Sequence, residues 1–435
     1  MKKNLSSKIF FIFNIFSSFF KKHFFGFVVG HRYLSKNDIN QLKKIIYEPD
    51  VDLRNAYQTK FSMEIGKGKS LSFASGRMAF YSLLKVYNVG EEDEVIITGF
   101  TCSVMVNAII RIGAKPIFVD IDPNNFGTSP EDILTKITKK TKIIVAQHSF
   151  GIPCRIDEIQ AISKAHNIKL IEDCALAFKS KYKGIILGNF GDSAIFSTDH
   201  SKPLNTIIGG MLYTKDMSLF TELLKEYNLL PNLSLLHQKN ILKQIIIERT
   251  LCKPRLYKFY KPFLILLTVL EKFNIKKTQT FLSNDGSAKI FNSKYPYPAK
   301  LPLFLCSLGL KELEKFDIEE KKTILKEYLE ILPIRNSCIL IPDCYKLKDY
   351  EIVPLRFVFL VNNDQITHKI SKFIDSSWYW FKSPIISTSD NLKEFDYKLG
   401  SCPNSERISL NIVNFPVVFN EKENKIIYNK IKSLI

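Results

Sequence analysis

Between Ser35 and Thr214, short β-branched runs alternate with stretches of helical period, and no other feature of the chain narrows its fold as far. The runs are Val95–Thr98, Pro116–Asp120, Lys142–Ala146, Lys169–Asp173, Ser193–Ser197 and Gly210–Thr214. Val104–Ile112, Pro130–Lys139 and Asp157–His166 lie between them, with apolar residues three and four apart. Ser129 before Pro130 reads as a cap followed by the one helical position that tolerates proline. Strand–helix alternation of this kind predicts an α/β domain built on a mainly parallel sheet, with helices covering both faces. Such sheets bind ligands at the carboxyl ends of their strands. That is where this sequence puts its unusual polar residues.

The rest of the 435 residues divides around that region. At about 150 residues per domain the length suggests two or three domains. The expected division is an arm over 1–34, a large α/β domain over 35–295 with an apolar helical insert near 240–280, and a smaller α+β domain over 296–435. In the last, a helical stretch over Leu308–Leu332 leads to strands within Tyr350–Leu360 and Ile408–Asn414. The arm carries a phenylalanine-rich run, Lys8 to Lys22, that is shorter than the ~20 apolar residues needed to cross a bilayer. Its lysine flanks suit either a segment lying in a membrane interface or an arm packed on protein. Lys261–Leu270 is apolar on every side and reads as a buried helix, with a second membrane-surface contact as the alternative.

Composition removes other classes. A 46% hydrophobic and 24% charged chain is globular rather than disordered. The net charge of +19 comes almost wholly from lysine, with ten arginines scattered along the chain. That distribution is a composition bias and not a nucleic-acid footprint, because duplex readers rely on arginine for bidentate contacts. Eight cysteines without a Cys-x-x-Cys pair argue against a disulfide scaffold or a zinc ribbon, so no metal is expected and a reducing cytoplasm is the expected location.

Four local features carry chemistry. Ser75-Gly76-Arg77 opens a helical stretch, and free N–H groups at a helix start make a phosphate site. The strand Lys169–Asp173 ends in two carboxylates, and a carboxylate at a strand end can hold a protonated ring nitrogen. Lys202 follows the strand Ser193–Ser197, where a desolvated lysine amine becomes nucleophilic toward a carbonyl. His200, two residues before it, reads as a neighbour. The fourth feature is their order: phosphate turn, carboxylate, then lysine, with Gly209-Gly210 after them.

With these stretches the sequence resembles the sugar aminotransferases of the DegT/DnrJ/EryC/StrS family, pyridoxal-phosphate enzymes of the aspartate-aminotransferase fold. The resemblance runs from about Arg32 to the C-terminus and is strongest from Ser75 to Gly210. It rests on Ser75-Gly76-Arg77, Glu92–Ile97, Gly113–Asp122, His148-Ser149-Phe150-Gly151, Glu172-Asp173-Cys174-Ala175, and Phe196-Ser197 through Lys202 to Gly209-Gly210. Ser401–Glu406 and Asn414-Phe415-Pro416 resemble its C-terminal signature. The resemblance implies that Lys202 joins pyridoxal 5'-phosphate covalently and later carries a proton between substrate and cofactor. It implies that Asp173 pairs with the pyridine nitrogen, and that Ser75, Gly76, Arg77 and Ser197 hold the phosphate.

It further implies amino transfer, typically from glutamate, to a nucleotide-linked keto sugar in surface polysaccharide synthesis, by a homodimer. Lysine rather than histidine at 202 favours amination over the dehydration performed by some relatives. The sequence departs from the family pattern at Leu176 (Gln or His), Cys102 (an aromatic residue), Arg77 (Thr) and Ile208 (Glu). Pyridoxal-phosphate chemistry of another kind, or a non-catalytic partner protein at a membrane, stays open as an alternative. Trp378 and Trp380 read as aromatic packing of the small domain rather than as a stacking surface.

Overall fold

The computed structural model describes residues 18–20, 23–27, 34–253, 255–260, 262, 263, 266, 295–332, 335, 336, 338–386, 391–417 and 421–433. Its centre is a seven-stranded sheet of β1 (Lys69–Phe73), β2 (Glu94–Thr98), β3 (Lys115–Val119), β4 (Thr141–Gln147), β5 (Lys169–Asp173), β6 (Ser193–Ser197) and β7 (Gly210–Thr214). The spatial order is β1-β7-β6-β5-β4-β2-β3. Neighbours from β6 through β3 run parallel, while β7 is antiparallel to both β6 and β1. The helices Ser103–Arg111, Pro130–Lys136 and Ile156–Ala165 fall within two or three residues of the bounds that periodicity predicts. Ser129 caps the second of them through the Asp132 N–H, with Pro130 in its first turn.

Strand β1 alternates Ser70 and Ser72 with Leu71 and Phe73, the pattern of a half-exposed strand, yet all four are buried. Both serines are buried, and tertiary partners satisfy them. The Ser70 hydroxyl donates to the Gln58 carbonyl at 2.7 Å, and the Ser72 hydroxyl accepts from Gln58 Nε2 at 3.2 Å. A buried hydroxyl without such a partner would cost about 1–3 kcal/mol.

A second, antiparallel sheet orders β8 (Arg335–Asn336), β9 (Ile339–Leu340), β10 (Arg356–Val361) and β11 (Ile412–Pro416) in sequence. It has its own core, in which Phe357, Phe359 and Phe415 pack with Tyr328 and Ile427. Residues 408–411, expected as strand, close the helix Pro403–Asn411 instead. Asp120, at the end of β3, accepts the Asn404 and Ser405 N–H groups at 2.8 Å each and so fixes the start of that helix from outside its own sequence. The helical stretch expected over 308–332 is two helices, Leu303–Glu314 and Ile318–Ile331, with Asp317 capping the second.

The first of these lies beyond the expected boundary at 296 yet packs into the core of the large sheet. Gly309 permits this, since a Cβ there would sit 2.4 Å from the Tyr57 ring.

The described part of the arm packs on this same chain. Phe25 N–H donates to Phe373 O, and Asp375 N–H donates to Phe25 O, both at 2.8 Å. Phe25 and Phe27 are buried in the second core, whereas Phe20 is exposed. The run Lys8–Phe16 and most of Lys261–Leu270 lie outside the described residues. Among those described, no helix is long and apolar enough to cross a membrane.

Candidate active site

Strands β4, β5 and β6 end at one cavity of about 250 Å³. The residues expected to attach or hold the cofactor all line it: Ser75, Gly76, Arg77, Asp173, Ser197 and Lys202. Cys102, Gln147, Leu176, His200 and Trp380 complete much of the wall.

The phosphate turn follows directly from β1. Ser75 caps the helix Gly76–Val86, its Oγ accepting the Met78 N–H at 3.3 Å. The first N–H groups of a helix are not used by its own carbonyl ladder, which makes a helix start a natural seat for an anion. The paired glycines are required by packing. A Cβ at Gly210 would lie 2.3 Å from Gly76 N and 2.4 Å from Gly76 Cα, so any side chain would drive β7 into the turn. Gly209 adopts φ +146°, a conformation open chiefly to glycine.

Asp173 is the last residue of β5. Its carboxylate accepts one hydrogen bond among the described residues, from Ala175 N–H to Oδ1 at 2.9 Å. Burial pushes its pKa above the ordinary carboxylate value, against the opposing pull of that N–H and of Lys202 and His148. Glu172, one residue earlier, points into a different network. Its two oxygens accept the N–H groups of Gly188 (2.8 Å), Phe190 and Gly191 (2.7 Å each), and one contacts His148 Nε2 at 3.2 Å. Cys154 N–H donates to His148 Nδ1, which assigns the ring proton to Nε2, facing Glu172. His148, Glu172 and Cys174 bring potential metal-ligand atoms within 4.8 Å of one another. The imidazole and carboxylate are already engaged in these bonds, so the trio braces the end of β5 rather than holding an ion.

The segment after β6 closes on itself. Thr198 N–H donates to Gly209 O (2.9 Å), Thr206 N–H to Thr198 O (2.8 Å) and His200 N–H to Ile207 O (3.2 Å). Lys202, anchored by its N–H to Asp199 O at 3.0 Å, stands at the tip. Its amine makes no hydrogen bond or ion pair among the described residues and sits 4.1 Å from the centroid of the Trp380 ring. Removal from bulk water holds its pKa below the ordinary lysine value, with Arg356 acting the same way and Asp199, Cys102 and Asp173 opposing.

Three features of the wall escape sequence reading. Trp380 belongs to the cavity and not only to small-domain packing. It arrives because Ile385–Ile386 pairs in parallel with Thr101–Cys102, a contact between segments almost three hundred residues apart. Gln147, at the end of β4, is tied by Nε2 to Phe100 O at 2.7 Å. His200 is more than a neighbour of the lysine: its Nδ1 contacts Glu248 Oε1 at 3.1 Å, and Glu248 is wholly buried on the helix Leu235–Leu251.

The residues fit a phosphorylated aromatic aldehyde with a basic ring nitrogen. An amine and a buried carboxylate with few partners among the described residues share one cavity with a helix start. The comparison of folds finds the same architecture, a large α/β domain with a smaller antiparallel one, in solved aminotransferase structures. An aminotransferase from Psychrobacter cryohalolentis superimposes with a TM-score of 0.69 at 19% identity, covering 92% of this chain and 97% of that one. A structure from Streptococcus pneumoniae named for a sugar aminotransferase in its PLP form gives 0.66, also at 19% identity, over 92% and 96%.

Residues 43–238 match the model of the DegT/DnrJ/EryC1/StrS aminotransferase family. The GDP-perosamine synthase of Escherichia coli O157:H7 is 40% identical over 164 residues, 38% of this chain and 45% of that protein. The GDP-perosamine synthase of Vibrio cholerae is 31% identical over 199 residues, 45% of this chain and 54% of that protein. The chain thus spans about half the length of the curated relatives it matches.

Proposed function

We propose that this protein is a pyridoxal-phosphate-dependent aminotransferase that transfers an amino group, typically from glutamate, to a keto carbon of a nucleotide-linked sugar for surface polysaccharide synthesis. The observation that carries the reading is the Lys202 amine, which makes no hydrogen bond or ion pair among the described residues and stands in the cavity that Asp173 and the Ser75–Arg77 turn also line. The named activity of the relatives supports the substrate class. The reading includes a cytoplasmic homodimer, with a peripheral membrane contact through the arm left to test.

When bound, pyridoxal phosphate supplies an aldehyde that condenses with amines and a ring that accepts electrons from the carbon bearing the transferred nitrogen. The chain supplies the rest. Ser75, Gly76, Arg77 and Ser197 hold the phosphate, and the Arg77 guanidinium, in the same wall, offers a charge-assisted bond. Lys202 provides the amine for attachment, and its lowered pKa raises the fraction that is neutral and nucleophilic near neutral pH. With the cofactor bound, Lys202 Nζ would carry a proton between the substrate carbon that bears the transferred nitrogen and the cofactor, in one direction with the donor and in the other with the acceptor. The Asp173 carboxylate keeps a proton on the ring nitrogen. A cationic partner also relieves the cost of its own burial.

The test is a half-reaction. Purified chain loaded with pyridoxal phosphate loses its visible absorbance on addition of glutamate and recovers it when a 4-keto nucleotide sugar is added. Loss with glutamate but no recovery with any nucleotide sugar would overturn the substrate class. No uptake of cofactor would overturn the whole reading.

A further inference from the structure

The wall of the cavity contains few rings. Among the described lining residues these are His200, Trp380 and Phe381. Phe381 is spoken for: it is 3% exposed and packs against Phe100 at 4.6 Å and Phe150 at 5.7 Å between centroids. His200 is held to Glu248. Trp380 alone presents a large aromatic surface beside the lysine.

Its placement is over-determined by elements outside the large sheet. Trp380 N–H donates to Asn414 Oδ1 at 2.9 Å, and Asn414 Nδ2 donates to Trp380 O at 2.7 Å, so one side chain of β11 clasps the residue at both backbone groups. Arg356 Nη1 donates to the same Asn414 oxygen at 3.0 Å. The Arg356 guanidinium lies 3.8 Å from the Trp380 ring centroid and 4.3 Å from that of Phe27, so the arm, Arg356 and Trp380 form one stack. Guanidinium groups pack well on indole faces, and a stacked ring loses little freedom when a ligand arrives.

We propose that Trp380 is the positioning surface for the cofactor ring, a planar wall held by Arg356, Asn414 and the Phe27 arm, against which the group carried by Lys202 packs. The inference rests on the proposed cofactor reading. The attachment nitrogen lies 4.1 Å from the indole centroid, so a planar ring borne on it, confined to this cavity, comes within packing distance of Trp380. Of the other lining residues, Cys102 in the paired strand is too small to offer a ring, and Leu176 beyond Asp173 is aliphatic. The aromatic surface is therefore provided from the small domain, and the ring it packs against is set by how that domain and the arm seat.

Two experiments on the full-length chain test this. In the first, the wild-type chain is footprinted by hydroxyl radicals with and without pyridoxal phosphate, and the Trp380 peptide is read by mass spectrometry. Oxidation of Trp380 falls several-fold with cofactor, and K202A, which cannot attach it, loses most of that protection. In the second, W380A weakens pyridoxal-phosphate binding by about tenfold, the value of one good aromatic contact, and changes the visible circular dichroism of the bound cofactor. W380F restores affinity to within about threefold, which a merely space-filling role, equally served by Leu, would not require. W380L, expected to behave as W380A, supplies that comparison.

If the chain takes up cofactor but Trp380 is not protected, or W380A binds it with unchanged affinity and dichroism, the inference fails while the function stands. If the chain takes up no cofactor, both fail together.

Discussion

The His200–Glu248 pair makes a prediction with a defined sign. Burial alone would lower the imidazole pKa, but Asp199 and Glu248 outweigh it and raise His200 from the ordinary 6.5 to about 9. The side chain is 21% exposed and Glu248 not at all, so screening by water is limited. Because the folded value exceeds the unfolded one, the interaction contributes fully below pH 6.5 and is lost as pH rises through about 9. The difference corresponds to about 3 kcal/mol. E248Q removes the charge while leaving an oxygen for Nδ1–H. At pH 6 it costs about 3–5 kcal/mol, the range for breaking a buried pair. Asp199 keeps its share of the shift in this variant, so the cost shrinks toward pH 10 only by the share that Glu248 supplies.

The assay is twofold. Thermal melting of wild type and E248Q across pH 6–10 reads the difference, in which all other titrating groups cancel. NMR of labelled histidine, with the His200 signal identified by its absence in H200N, reads the midpoint directly. A wild-type midpoint near 6.5, or a melting difference constant with pH, would refute the reasoning.

Other substitutions separate fold from chemistry. D173N removes a carboxyl whose folded pKa burial has raised, so the cofactor-free protein melts at or above wild type at pH 7, with no gain near pH 3; amine transfer falls about 100-fold or more. A lower melting point for D173N at pH 7 would count against the burial argument. G210A forces a methyl to within 2.3 Å of Gly76 N, costs at least about 1–3 kcal/mol and weakens phosphate-bearing ligands more than it lowers the melting temperature. Calorimetry with pyridoxal phosphate against melting of the same samples checks the ordering.

Much of the large domain was legible because its strands are buried on both sides and its helices on one, so period alone separates them. The residues of the cavity were legible for a related reason: each stands at the end of its own strand or the start of its own helix, where a short local signature marks it. What escaped depends on contacts between distant segments. The serines of β1 are acceptable in a core because Gln58, Ser62 and Tyr227 meet them. Residues 408–411 stay helical because Asp120, nearly three hundred residues earlier, caps the helix start. Glu248 is the one acid on a helix with little amphipathic pattern, and its buried contacts with Gln244 and, from a distant loop, His200 are not announced by that helix's sequence. Trp380 reaches the cavity through a two-residue parallel pairing that no local pattern announces.

The central claim concerns one nitrogen atom. Borohydride reduction of the chain loaded with pyridoxal phosphate, followed by digestion and mass spectrometry, tests it directly. The account predicts one reduced pyridoxyl phosphate per chain, on the peptide bearing Lys202, and none on K202A. A label on another lysine, or an unlabelled wild-type chain, would contradict it.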